Sequence, residues 1–316
     1  MKALICGVGG QDGAYLARLL LGKGYHIVGT SRDAGSADFQ NLEALGIRAR
    51  VDVHSMDLRD ARSVEQVLNE SAPDEIYLLA GQSSVGLSFT EPAETLESIC
   101  LGTLNVLEAM RRLTRVPRLY HAGSGECFGV HAAGGADERT AFAPRSPYGV
   151  AKAAAHWLVA NYRESYSLYA CSGILFNHES PLRPVRFVTR KITAAAARIA
   201  RGSAERLALG RLDIVRDWGW APEYVEAMWT MLQQNAPRDF VIATGEAHSL
   251  EEFVATAFAS VGLDWREHVD IDPALRRPTD LAASVGNPAA AAEALDWRAH
   301  YRMTDVAHAM VAAERA

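Results

Sequence analysis

Ala3-Leu-Ile-Cys-Gly-Val-Gly-Gly-Gln-Asp-Gly-Ala-Tyr-Leu16 opens the chain with an apolar run, a glycine-rich turn and the start of an amphipathic stretch. Glycines at Gly7, Gly10 and Gly13 let the backbone turn tightly and approach a pyrophosphate. The free N–H groups at the start of a following helix attract its negative charge. Strand, glycines and helix come in the required order at the head of a βαβ unit. They predict a dinucleotide site that uses Gly7, Gly10, Gln11, Asp12 and Gly13.

Outward from that turn the same rhythm continues. Apolar runs at Ala3–Cys6, His26–Gly29, Arg50–His54, Glu75–Ala80, Arg118–Ala122 and Tyr169–Phe176 alternate with helix-like segments. Those segments lie near Asp12–Leu21, Ala61–Asn69, Ala93–Leu113 and Pro147–Tyr166. Nearly continuous apolar strands separated by helices imply a parallel sheet covered on both faces. The expected fold is α/β, a doubly wound parallel Rossmann-type sheet with a smaller C-terminal substrate-binding lobe. Residues 1–176 are expected to hold the dinucleotide and the catalytic groups, and residues 177–316 mainly the substrate, with elements exchanged between the two.

Composition narrows the function. The chain has 316 residues, 49% hydrophobic and 22% charged, with a net charge of −6. That sign disfavours a general nucleic-acid binder. Four cysteines without a CxxC spacing are expected to be reduced thiols in a cytoplasmic protein. No apolar run is long enough for a signal peptide or a membrane span.

The ends of the later strands suggest where a dinucleotide would lie. Arg32-Asp33 follows the second strand. A guanidinium there suits a 2′-phosphate and a carboxylate a ribose hydroxyl, so NADP is expected in preference to NAD, with Arg32 as its contact. Asp57-Leu58 would meet the adenine edge and Leu79-Ala80 the nicotinamide side. Tyr148 and Lys152 form YxxxK, which places both on one face of a helix, and Ser146-Pro147 supplies its cap and first residue. An ammonium near a phenol lowers its pKa, so tyrosinate becomes a base near neutrality. With Ser124 at the end of the fifth strand, the three groups make up a set for oxidising an alcohol beside a nicotinamide.

These residues resemble the extended short-chain dehydrogenase/reductases that modify nucleotide sugars. Longer stretches are similar to one family among them, the GDP-mannose 4,6-dehydratases: Gly10–Leu16, Pro73–Tyr77, Arg145–Lys152, Asn161–Glu164, Gly173–Pro181, Phe187–Lys191, Arg216–Gly219 and Tyr224–Trp229. The resemblance implies that Glu126, two residues after Ser124, removes the C5 proton of the sugar while water leaves C6. It also implies that Tyr148 takes the C4 hydroxyl proton and that hydride moves from C4 to C6 through NADP. Contacts to the sugar diphosphate are implied for Asn177, Lys191, Arg216 and Arg277, to the ribose for Asp280, and to the hexose for Ser83. Between Arg183 and Arg216 nine basic residues face two acids, which suits a diphosphate, although about half of such a run ordinarily lies on solvated helix faces.

The sequence departs from the family at Ser124-Gly-Glu-Cys127, where Gly125 and Cys127 either open room beside the sugar or repack the strand end. It departs again at Arg32-Asp33, where the family has an arginine pair that also supports tetramer contacts. A GDP-sugar substrate, GDP-mannose or GDP-manno-heptose, and a homodimer or homotetramer are expected. A 4-reductase or epimerase of a GDP-4-keto-6-deoxy sugar, or a non-catalytic NADP-sensing protein, would not need Glu126. No metal site is expected, because His178-Glu179 lacks a ligand spacing.

Overall fold

The computed structural model describes residues 1–130 and 134–315. Seven parallel strands form one sheet, of which the first six in sequence are β1 (Lys2–Cys6), β2 (His26–Ser31), β3 (Val51–Ser55), β4 (Glu75–Leu78), β5 (Arg118–Ala122) and β6 (Ala170–Leu175). The seventh, Phe240–Ile242, lies on the outer side of β6, so the spatial order is 240–242, β6, β5, β4, β1, β2, β3. Strand order reverses between β1 and β4, the switch point beyond which ligands bind in such sheets. Central strands are buried on both faces because helices cover each side. Leu4, Ile5, Ile76, Tyr77, Leu119 and Tyr120 are fully buried.

The expected helix over 93–113 runs without interruption from Pro92 to Met110, with a π-helical turn at Glu97–Leu101 in its middle. A Cβ on Gly102 would sit 2.9 Å from Leu58 Cβ. The helices Pro147–Tyr166 and Val188–Ala200 form close to where the periodicity puts them.

Strand 240–242 was not foreseen. It is a three-residue apolar stretch after the proline of Asn235-Ala-Pro-Arg, without a periodicity of its own. Its helix, Ala221–Leu232, packs on the first helix, Gln11–Gly22, and joins the main core through Tyr224, Met228 and Met231. A second core under Trp218, Phe253, Phe258, Met303 and Met310 supports the short strands of residues 207–209, 215–216 and 218–220. β7 (Asn177–Glu179) leaves β6 and pairs with strand 218–220, and so leads the chain from the main sheet to the smaller lobe.

Candidate active site

The glycine turn forms as the motif requires. Gly7 adopts φ +86°, and its N–H and that of Val8 donate to Thr30 O at 3.0 and 3.2 Å, tying the turn to β2. A Cβ on Gly7 would meet the Ala80 backbone at 3.0 Å, and one on Gly13 would lie 2.3 Å from Gly7 O. Only glycine allows this packing of turn, helix and β4. Gly10 caps the first helix without any side-chain hydrogen bond, which leaves its first-turn N–H groups for an anion. The cradle therefore fits a dinucleotide pyrophosphate.

The side chains of Gln11 and Asp12 turn toward protein partners. Gln11 Nε2 donates to His178 O at 3.2 Å, and its Oε1 accepts from Ser180 Oγ at 2.8 Å. His178 Nε2 donates to Asp12 Oδ2 at 2.9 Å and Nδ1 donates to Phe176 O at 2.8 Å, while its ring stacks on Tyr224. Burial resists both charges, but the pairing prevails: Asp12 is held down at about 2, chiefly by His178, and His178 is raised, chiefly by Asp12. Cofactor contacts at Gln11 and Asp12 are thereby left to the backbone. The two partners are 166 residues apart, and nothing local in the sequence announces the pair. Both ring nitrogens of His178 are engaged, and Glu179 accepts from Thr189 Oγ1 at 2.7 Å and pairs with Arg183.

Beyond β2, Arg32 is ion-paired with Glu94, and Arg59 bridges Glu94 and Asp57 at 2.7 Å to each. Asp33 folds back on Gly35 N at 2.9 Å and Ser36 Oγ at 2.7 Å. Leu58 is buried, and its carbonyl accepts from Asn105 Nδ2 at 2.7 Å. Leu79 N donates to Cys6 O at 3.1 Å, and Ala80 faces Gly7. Arg59 and Glu94 were not anticipated.

A cavity of about 480 Å³ lies at the carboxyl ends of β1, β4, β5 and β6. Asp12, Leu79, Ser83, Ser124, Glu126, Tyr148 and Lys152 line it at one end, and Asn177, Lys191, Arg216, Arg277 and Asp280 at the other. Gly7, Gly10, Gln11, Gly13, Arg32, Asp57, Leu58 and Ala80 lie outside its lining.

At the first end Ser124 follows β5, and its Oγ accepts from Glu126 N at 3.3 Å, so a short turn holds the glutamate toward the cavity. Ser146 Oγ accepts from Gly149 N at 3.0 Å and Pro147 takes the first helical position, which fixes Tyr148 in the opening turn. One turn on, Lys152 Nζ donates to Ala122 O at 2.8 Å, and burial lowers its pKa to about 8. The expected lowering of the Tyr148 phenol by that ammonium is not seen. Burial raises the phenol, against the pull of a hydrogen bond with Ser124. Burial also raises Glu126, opposed by the charges of Arg216 and Arg277.

The departures at Gly125 and Cys127 repack the strand end. A Cβ on Gly125 would meet the Phe176 ring at 3.0 Å, and the Cys127 thiol is buried against Gly149 O at 3.8 Å. Neither residue lines the cavity.

At the other end Arg216 is 4% exposed and donates to Asp280 Oδ1 at 2.8 Å and Leu281 O at 2.8 Å. Asp280 is thus engaged with Arg216, with Arg277 at 3.7 Å. Lys191 Nζ donates to Ala208 O at 2.7 Å. Of the nine basic residues between 183 and 216, Arg183, Arg186, Lys191, Arg211 and Arg216 line the cavity. Arg190, Arg198 and Arg206 pair with Glu314, Glu205 and Asp270 elsewhere. Asp217, unmarked in the sequence reading, is buried and accepts from Thr244 N at 2.9 Å, Thr244 Oγ1 at 2.7 Å and Gly245 N at 2.9 Å, so it anchors the loop that carries Arg216.

A glycine-turned parallel sheet, with a Ser/Tyr/Lys set at its switch point and a small lobe closing the cavity, defines an extended short-chain dehydrogenase/reductase. A UDP-glucose 4-epimerase from Thermus thermophilus, solved in complex with NAD, shares this fold, with a TM-score of 0.87 and 27% identity over 100% of this chain and 99% of that one. Within the class, the model of the GDP-mannose 4,6 dehydratase family matches residues 4–310. GDP-mannose 4,6 dehydratase 2 of Arabidopsis thaliana is 46% identical over 94% of this chain and 82% of its own length. The human GDP-mannose 4,6 dehydratase is 41% identical over 99% and 91%. The chain belongs to the GDP-mannose 4,6-dehydratase family.

Proposed function

We propose that the chain is a hydro-lyase that converts GDP-mannose to its 4-keto-6-deoxy product by moving hydride from C4 to C6 within one bound sugar. The observation that carries this reading is Glu126, which faces the same cavity as Ser124, Tyr148 and Lys152. A reductase or epimerase needs the latter three and has no use for a further carboxylate at C5.

Gly7, Gly10, Gly13 and the first-turn amides of Gln11 and Asp12 would hold a nicotinamide dinucleotide, which would supply a hydride acceptor for C4 and a hydride donor for C6. Ser124 polarises the C4 oxygen and Tyr148 takes its proton, with the Ser124 hydrogen bond opposing the burial of the phenol and the Lys152 ammonium 5.8 Å from the Tyr148 ring. The resulting ketone acidifies C5–H. Glu126 takes that proton and delivers one to the C6 hydroxyl, which leaves as water. After hydride is returned at C6, the proton held at Tyr148 balances reprotonation of C5. Ser83 and Asn177 orient the hexose, while Lys191, Arg216 and Arg277 balance the diphosphate charge, with Asp280 positioning the last two. The relatives named above are GDP-mannose dehydratases, which supports GDP-mannose over GDP-manno-heptose as the substrate.

NADP, with Arg32 toward the 2′-phosphate and Asp57, Leu58, Leu79 and Ala80 along the nucleotide, is the cofactor in this reading. The protein acts in the cytoplasm as a homodimer or homotetramer. Leu96, Leu101, Val150 and Trp157, exposed on the adjoining helices of residues 92–110 and 147–166, supply an apolar face for association. Residues 1–176 carry the dinucleotide and the chemistry, and residues 177–316 mainly the sugar nucleotide.

GDP-mannose deuterated at C4 tests the proposal. Deuterium is expected at C6 of the product, with no net NADPH formed or consumed. Deuterium on released NADPH, or a stoichiometric need for NADPH, overturns it.

A further inference from the structure

Arg32, Glu94, Arg59 and Asp57 form a continuous ladder of ion pairs across the carboxyl ends of β2 and β3. The adenosine ribose of a dinucleotide seated on the glycine turn lies beyond the end of β2, where Arg32 follows Ser31. Arg59 uses Nε and Nη2 on Asp57 and Nη1 on Glu94. Glu94 therefore bridges two guanidinium groups, one through each carboxylate oxygen, in the manner of a bound phosphate. Two arginines and two carboxylates leave the cluster neutral, so an incoming 2′-phosphate meets no net positive charge. Asp33, the residue next to Arg32, faces its own turn and adds no compensation.

We infer that Glu94 sets the choice between dinucleotides with and without a 2′-phosphate, by occupying the two arginines that such a phosphate would otherwise claim. This rests on the dinucleotide reading of the glycine turn. Glu94 stands in the short helix Pro92–Leu96 and is the only carboxylate of the ladder that reaches both arginines; Asp57 pairs with Arg59 alone. A 2′-phosphate must draw Arg32 away from Glu94 and then lie close to that carboxylate. A ribose hydroxyl meets neither cost and can donate to Glu94. Preference for NADP is thereby held below what Arg32 and Arg59 alone would give.

Equilibrating the purified protein with equal concentrations of NADP+ and NAD+, removing free nucleotide by gel filtration and quantifying what remains bound tests this without reference to turnover. Glu94→Gln keeps shape and removes charge, and should raise the bound NADP+ to NAD+ ratio about fivefold, the factor of a surface ion pair at its stronger limit. Glu94→Asp keeps the charge and should hold the ratio within about twofold of the parent, well inside that factor. An unchanged or lowered ratio in Glu94→Gln, with both nucleotides still bound, overturns the role of Glu94 and leaves the dinucleotide site standing. Failure of parent and variants alike to retain either nucleotide overturns the dinucleotide reading and this inference with it.

Discussion

The two ends of the cavity are built differently. At the Ser124/Tyr148 end, Tyr148 and Glu126 are fixed by signals within a few residues of them, the Ser146 cap on Gly149 N and the Ser124 hydroxyl on Glu126 N, while Lys152 reaches back 30 residues to Ala122 O. At the Arg216/Asp280 end, the holding bonds span 64 and 65 residues and join the two-residue strand Val215–Arg216 to Asp280 and Leu281, which lie in no strand or helix. The first end inherits its geometry from the rigid rim of a parallel sheet. The second is assembled by ion pairing among short strands and irregular segments of a lobe whose regular backbone is mainly the helices Val188–Ala200, Leu250–Ala259 and Met303–Arg315. Sequence motifs accordingly describe the chemistry better than they describe the clamp.

The sharpest test of that contrast is Glu126→Gln. It should leave sugar-nucleotide binding intact and cut turnover by ~10²–10⁴, the contribution of a positioned general base. Solvent isotope exchange at C5 measures the step directly, and exchange at the parental rate removes Glu126 from it. At the far end, Arg216→Met strands Asp280 and Glu126 without their buried cation. Breaking a buried pair costs about 3 kcal/mol, so the loss should appear in denaturant unfolding and in a KM that rises more than kcat falls. Stability within about 1 kcal/mol of the parent would mean that the clamp is less dependent on the pair than its burial implies.

The pH profile separates the groups again. Lys152 acts in its charged form and burial lowers its pKa to about 8, so kcat/KM should fall as pH rises through that value, approaching about tenfold per unit. Glu126 acts ionised and burial raises its pKa, so the acid limb should lie above the ordinary glutamate range. A profile flat to pH 10 would show that Lys152 stays charged or is not needed charged. The smallest effect is expected for Ser146→Ala, about 1 kcal/mol of stability from the lost cap, read by thermal unfolding. A turnover loss as deep as that of Glu126→Gln would show that the cap, rather than packing along the helix, holds Tyr148.

Most of the first lobe was legible because its signals are local. Apolar runs of strand length, the Gly7–Gly13 turn and the Ser146-Pro147 start each act over one turn of chain, and the structure forms strands and helices close to those limits. The π-helical turn at Glu97–Leu101 was hidden, since nothing in its composition sets it apart from the helix on either side. Strand 240–242 was hidden for the same reason: three apolar residues become a strand only because β6 offers an unpaired edge.

The charged residues mark the limit most plainly. The excess of arginine between 183 and 216 could be counted, but the residues facing the cavity are separated from those on the surface only once the fold gives each a partner. Arg32 could be seen as a phosphate contact, whereas Glu94, which competes for it 62 residues away, could not. By itself the sequence determined the parallel sheet, the glycine turn and the start of the helix that carries Tyr148 and Lys152, because backbone sterics, hydrophobic periodicity and helix capping operate between near neighbours. The tertiary structure alone decided which carboxylate meets which guanidinium and how burial moves Tyr148, Lys152 and Glu126. Electrostatic energies depend on distance and on exclusion of water, and neither is set until remote segments of the chain are packed together.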